Sequence, residues 1–144
     1  MHILTPETAE DFERYFALRW RILRQPWGQP LGSERDTLET QSWHRMACVE
    51  ERIPVGVARL HLNNPEQAQI RYMAVEHDRQ RQGIGVALAL ELEKVARLLG
   101  ADEIVLHARD DSIGFYEHLG YRVTAPAHTL YETIRHSEMH KRLR

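Results

Sequence analysis

The sequence predicts an α/β domain: a mixed, mostly antiparallel sheet with helices on both faces. Three observations predict it. The runs HRMACVEE, IPVGVARLHLNN and QAQIRYMAVE are strand-like and follow one another with only short turns between them. A long amphipathic helix pattern, GIGVALALELEKVARLLG, then interrupts the series. After it, strand and helix patterns alternate to the end of the chain. Strands joined by tight turns must be antiparallel neighbours, whereas a parallel pair needs a crossover, so a doubly wound dinucleotide fold is excluded.

Element by element, HIL reads as a short first strand. TPETAEDFERYFALRWRIL reads as a helix. Thr5 or Thr8 can cap it, acidic residues lie at its start and arginines at its end, as the helix dipole favours. Phe12, Phe16, Arg19 or Trp20, and Leu23 fall on one face at helical spacing. QPWGQPLGS ends it with two prolines and two glycines, and Ser33 is placed to cap a short helical turn, ERDTLE. The three strands come next, with NNPE as the turn between the second and third. In the long helix, Ile84, Leu88, Leu92, Val95 and Leu99 form the buried stripe. Glu91, Glu93, Lys94 and Arg97 cover the outside, and Gly100 stops the helix. EIVLHA is a strand, DDSIGFYEHLG a short helix ending at Gly120, YRVTA a strand, and LYETIRHSEMHKRL contains the last strand. The order is β-α-α-β-β-β-α-β-α-β-β, one domain over residues 1–144.

Composition narrows the function. The chain has 144 residues, 42% hydrophobic and 28% charged, with a formal net charge of −2. No broad basic field points to nucleic acid, and the basic tail HKRLR reads as solvated. The single cysteine, Cys48, excludes an internal disulfide and reads as a buried strand thiol. No stretch reaches the roughly 18–20 apolar residues of a membrane helix. The N-terminus lacks the pattern of an export signal, so the expected location is cytoplasmic with no membrane partner. The nine histidines are scattered without a cysteine or carboxylate set, so no metal site is expected.

The stretch RQRQGIGVAL, Arg79 to Leu88, carries the chemistry. A helix start exposes unpaired N–H groups and the positive end of the dipole. Gly83 and Gly85 allow an anion close to the bare amides, and Arg79 and Arg81 add charge. A pyrophosphate suits this turn; a merely tight strand-to-helix turn is the plain alternative. The Walker pattern is absent, and no third glycine completes a dinucleotide fingerprint.

MAVEHDRQRQGIGVALALELE resembles the central motif of the GNAT superfamily of acetyl-CoA-dependent N-acyltransferases. Its loop is Gln80-Arg81-Gln82-Gly83-Ile84-Gly85, and FYEHLGY, Phe115 to Tyr121, resembles the second motif. The element order also matches that family's fold. RWRILRQPWGQPLGSERDTLE further resembles the acetyltransferase half of a bacterial acetyltransferase/thioesterase-like fusion protein, although no such second domain is expected here.

The resemblance implies acetyl transfer from acetyl-CoA to an amine by direct attack in a ternary complex, without a metal. The acceptor would be a small-molecule amine or a protein amino group. It implies that the main chain of Met73, Ala74 and Val75 pairs with the pantetheine arm. The amides of Arg81, Gln82, Gly83, Ile84, Gly85 and Val86 would take the pyrophosphate, with Arg79 or Arg81 assisting. Tyr116 matches the tyrosine that protonates the departing thiolate. Gln69 stands where several members carry a glutamate base, and glutamine cannot accept that proton. The base is then His61, His107, or water relayed by Glu34 or Glu39. A symmetric NNPE hairpin would put Arg59 and His61 on one face with Gln69 and Arg71, and strand alternation would add Met73 and Val75 to that face. Arg71 in a central strand should meet a cleft, a carboxylate such as Asp36 or Glu39, or both; in the cleft it would bind the acceptor by recognising an acidic group on it. Trp27 is expected in the acceptor wall. A homodimer through the late strands is an analogy from such folds. The alternative functions are a catalytically idle acyl-CoA-binding sensor and a nucleotide-binding interaction protein that uses the glycine turn for another phosphate.

Overall fold

A computed structural model describes residues 1–144. The strands are β1 (His2–Leu4), β2 (Trp43–Glu50), β3 (Ile53–Asn64), β4 (Gln67–Val75), β5 (Glu103–Arg109), β6 (Arg122–Leu130) and β7 (Ile134–Arg142). The helices are α1 (Ala9–Leu23), α2 (Ile84–Leu98) and α3 (Ile113–His118). The strands form one sheet in the order β1-β2-β3-β4-β5-β7-β6. Only the β4–β5 pair is parallel, and α2 makes its crossover. No helix is long and apolar enough to cross a membrane.

Packing of α2 follows its apolar stripe: Leu88 and Leu92 are fully buried, with Ile84 and Val95 nearly so. They join Leu60, Ile70, Ile104, Leu106 and Met139 in the larger core. Gly56 on β3 makes the close approach possible, since a Cβ there would stand 2.7 Å from Ile84 Cγ2. Glu93 does not cover the outside as its sequence position suggests; it is 1% exposed. Tyr121 Oη donates to its carboxylate at 3.0 Å and Lys141 Nζ at 2.9 Å, so the buried charge is paired and its lone pairs are used.

The opposite face carries α1. Thr8 caps it in a reciprocal box: Thr8 Oγ1 accepts from the Asp11 amide at 3.0 Å, and Asp11 accepts from the Thr8 amide at 3.3 Å. The buried side of α1 is Tyr15, Phe16, Leu18 and Arg19 rather than a wholly apolar stripe. ERDTLE forms no α-helix. Residues 31–34 are turns, Glu39–Gln41 is a three-residue 3-10 turn, and Ser33 Oγ donates back to the Pro30 carbonyl instead of capping forward. Its acidic side chains point inward to arginines, and that pairing replaces helical hydrogen bonding.

Asn64 Oδ1 accepts from the amides of Glu66 and Gln67, both at 2.9 Å, and fixes the tight β3–β4 turn. The register is the symmetric one: His61 opposes Gln69, and Arg59 opposes Arg71. Beyond that the expected alternation fails. Val57 opposes Ala74, so two residues of β4 face the single Ala58. Tyr72 holds φ +60° at this bulge. One extra residue reverses the faces. Ala74 joins Val57 under α1, while Met73 and Val75 pack toward α2.

Candidate active site

Chain divergence creates the site. β4 pairs with β5 only from Gln67↔Glu103 to Ile70↔Leu106, yet both strands continue, β4 to Val75 and β5 to Arg109. The β5-facing edge of Arg71–Val75 is therefore open. A cleft of about 480 Å³ runs through the sheet at this gap.

At the head of β4 the glycine turn behaves as the sequence suggests. Arg81 and Gly83 both adopt left-handed backbone, φ +65° and +82°. No side chain caps α2, and the first bond of the helix is donated by the Ala87 amide to the Gly83 carbonyl at 3.0 Å. The amides from Arg81 to Val86 thus have no partner in the chain, and successive N–H groups in such a turn form an anion-binding concavity. A Cβ on Gly83 would meet nothing within 4 Å, so its need is conformational. Gly85 has a different reason: a Cβ there would lie 3.1 Å from Phe115 Cζ, so α3 packs directly against the α2 start. Arg79 is half-buried, while Arg81 and Gln82 are exposed.

Tyr116 lies at the cleft, 7% exposed, and its hydroxyl makes no hydrogen bond within the protein. Burial pushes its pKa up to about 12, so the phenol keeps its proton as a free donor. Gln69, Arg71, Met73, His107 and Trp27 also line the cleft. Trp27 stacks on Tyr131 with centroids 6.1 Å apart.

His61 lies outside the cleft lining. It is 6% exposed, and both ring nitrogens are engaged. Arg59 Nη2 donates to Nδ1 at 3.1 Å, which leaves the proton on Nε2, 3.1 Å from Asn63 Oδ1. Burial and then the Arg59 charge lower its pKa. Glu39 is held by arginines: its Oε2 accepts from Arg19, Arg59 and the Asp36 amide at 2.9, 2.9 and 3.0 Å, while Oε1 is buried without a partner. Glu34, 3% exposed, holds Arg35 and the Gly32 amide. Among the residues raised as bases, His107 lines the cleft, with Nε2 3.7 Å from Glu138 Oε1 across the β5–β7 pair.

Arg71 meets both a carboxylate and the cleft, as a central-strand arginine should. Its Nη1 donates to Asp36 Oδ2 at 2.9 Å, and its side chain is 46% exposed. Arg59 takes the same carboxylate with two bonds, at 2.7 and 2.9 Å. Burial works to raise the Asp36 pKa, but the Arg59 hydrogen bonds and charge prevail and hold it well below the usual carboxylate range. The Tyr72 ring faces four guanidiniums, those of Arg19, Arg71, Arg59 and Arg24, at 4.2, 4.5, 4.9 and 5.7 Å.

The sequence pattern of the Acetyltransferase (GNAT) family matches residues 9–121. The chain belongs to the GNAT family of acetyltransferases. It is 27% identical over 141 residues to the uncharacterized N-acetyltransferase YjcF of Bacillus subtilis, covering 98% of this chain and 99% of that one. Its fold matches a crystal structure of a candidate N-acetyltransferase from Lactobacillus plantarum, with TM-score 0.87 and 22% identity over 99% and 98% of the two chains. It also matches an aminoglycoside 6'-N-acetyltransferase crystallised with coenzyme A, at TM-score 0.81 and 18% identity over 100% and 98%. What these comparisons establish is the GNAT family; the likeness to half of a two-domain fusion is not part of it.

Four residues at this GNAT cleft have no local signal in the sequence: Arg24, Arg109, His128 and His136. His136 opposes Arg109 across the β5–β7 pair, and the His128 ring stacks on His136 at 4.3 Å. Only the strand register, set far from these residues, brings them together. Tyr72 was equally hidden, because nothing in QIRYMAV marks a left-handed residue.

Proposed function

We propose that this GNAT protein transfers the acetyl group of acetyl-CoA to a primary amine. The observation that carries the reading is the open edge of β4, residues Arg71–Val75, leading into the unpartnered amides of Arg81–Val86. Those amides would hold the diphosphate of coenzyme A, with Arg79 or Arg81 beside them. The main chain of Met73, Ala74 and Val75 would pair with the pantetheine arm and offer an N–H to the developing oxyanion. The amine nitrogen bonds to the acetyl carbon, the carbon–sulfur bond breaks, and Tyr116 Oη gives its proton to the leaving sulfur. The proton lost by the amine passes to His107, which lines the cleft. We assign His61 to holding Arg59 and Asn63 in place.

The test is release of free CoA thiol from acetyl-CoA with a panel of amines. Gly83→Val should weaken acetyl-CoA binding in calorimetry, and Tyr116→Phe should lower kcat by about 10²-fold or more with binding kept. A folded Gly83→Val, Gly85→Val double variant with unchanged affinity sinks the assignment. Gln69, with no carboxylate in its place, favours a second reading, an idle acyl-CoA sensor. Tight acetyl-CoA binding with no turnover of any amine selects it.

A further inference from the structure

Every charged or titratable side chain at the cleft wall, apart from the neutral Tyr72 and Tyr116, is cationic or can become so. Arg24 comes from the end of α1, Arg71 from β4, His107 and Arg109 from β5, His128 from β6 and His136 from β7. No carboxylate lines the cleft. Asp36 and Glu39, just behind it, are shared among three guanidiniums. Arg19 and Arg59, both 0% exposed, donate most of the bonds these carboxylates accept, and Arg71 donates one to Asp36 Oδ2, which Arg59 also reaches. Positive charge is therefore left over at Arg71. On the other side of the gap, Arg109 has a buried Nε without a partner, and its Nη2 reaches only the exposed Asp111 at 3.2 Å.

Resting on the acetyl-transfer reading, we propose that the acceptor is an amine whose own skeleton carries a carboxylate or phosphate, held by Arg71 and Arg109 from the two sides of the strand gap. Guanidinium donors recognise such oxygens in pairs, and a polycationic acceptor would meet like charge on every wall. The same walls favour the uncharged form of the amine, because a nearby cation opposes its protonation. Gln69 fits this design: a carboxylate there would neutralise the field that both holds the anion and readies the nucleophile.

The experiment compares 4-aminobutyrate and 2-aminoethyl phosphate with butylamine, 1,4-diaminobutane and kanamycin, reading kcat/KM by CoA thiol release. One of the two anionic amines should exceed butylamine by about 10- to 100-fold, the range expected for hydrogen bonds to a charged group. Which one leads tells carboxylate from phosphate. Arg71→Gln, on the cleft surface and checked for folding by its melting curve, should shrink that ratio through KM. If the variant does not fold, the wild-type ranking alone decides. Preference for butylamine, 1,4-diaminobutane or kanamycin, or no preference, overturns the proposal while leaving the transferase reading intact. Failure of acetyl-CoA to bind in calorimetry overturns both. If acetyl-CoA binds but no amine is turned over, 4-aminobutyrate and 2-aminoethyl phosphate are titrated into the CoA-saturated protein. Binding weakened by Arg71→Gln supports an anion site, and no binding overturns it.

Discussion

The sheet is closed off by different physics on its two faces. Under α2 and α3 lies a contiguous cluster of 18 buried apolar residues, and its carboxylate, Glu93, is met by a hydroxyl and an ammonium. Under α1 the apolar cluster has seven members, and charge fills the space beside it, with Arg19 and Arg59 fully buried against Glu39 and Asp36. The first face is a packing problem, which many hydrophobic side chains of suitable volume solve. The second is a pairing problem, in which each charge depends on a particular partner. The cleft opens beside the second face, where Arg71 is already held by Asp36.

Removing a charge from the paired face should have the largest effect. Arg59→Ala removes both Arg59 bonds to Asp36 and one of the two guanidiniums on Glu39, and loss of one member of a buried pair costs about 3–5 kcal/mol. Urea denaturation measures it. A cost under about 1 kcal/mol would mean that Arg19 and Arg71 take over both carboxylates. On the apolar face, Leu92→Ala should cost about 2–5 kcal/mol by removing methylenes and leaving a cavity. Its cost should respond little to salt. Overpacking that face comes next: Gly56→Ala sets a Cβ 2.7 Å from Ile84 Cγ2 and 3.1 Å from Leu88 Cδ1. About 1–3 kcal/mol is expected, with α2 displaced in a crystal structure of the variant.

Acid should act on the paired face through Asp36. Its folded pKa is depressed, so its contribution is complete above its unfolded value of about 3.9 and is lost as pH falls toward the folded value. Between pH 5 and pH 2 the wild type should therefore lose more stability than Asp36→Asn, which starts lower. Parallel curves from unfolding at each pH would remove Asp36 from the acid response.

How much was legible in the sequence follows the same division. Period-based reading located every strand, α1, α2 and the α2 stripe, because burial on a regular element leaves a regular trace. The glycine turn was legible because Gly83 takes a left-handed φ and Gly85 has no room for a Cβ against Phe115. Glu93 was misplaced because its partners, Tyr121 and Lys141, lie 28 and 48 residues away, on other elements. ERDTLE was misread because local propensity says nothing of the arginines that draw Asp36 and Glu39 inward. The β4 bulge at Tyr72 was invisible, and with it the facing of Met73 and Val75. Of the residues that line the cleft, Arg71 was singled out by strand logic, Tyr116 by the motif and Trp27 by the composition of its loop. Arg109, His128 and His136 needed the β5–β7–β6 register, which no short stretch encodes.

The smallest effect expected is at the start of α1, where Thr8→Ala removes one acceptor from the Asp11 amide. Such caps contribute about 1 kcal/mol. Asp11 should keep most of the box, since Arg52 Nε donates to both of its oxygens at 3.1 Å and the Glu7 amide donates at 2.9 Å. Arg52 hydrogen bonding, foremost, holds the Asp11 carboxyl well below the usual range, so the acid remains charged at the positive end of the helix. Thermal unfolding of Thr8→Ala beside Arg59→Ala therefore tests where α1 gets its hold on the sheet. If the cap variant falls as far as the arginine variant, the helix is secured chiefly by its own first turn. A small drop beside a large one places that hold in the Arg19–Glu39–Arg59–Asp36 pairs, which the helix joins through a single buried guanidinium.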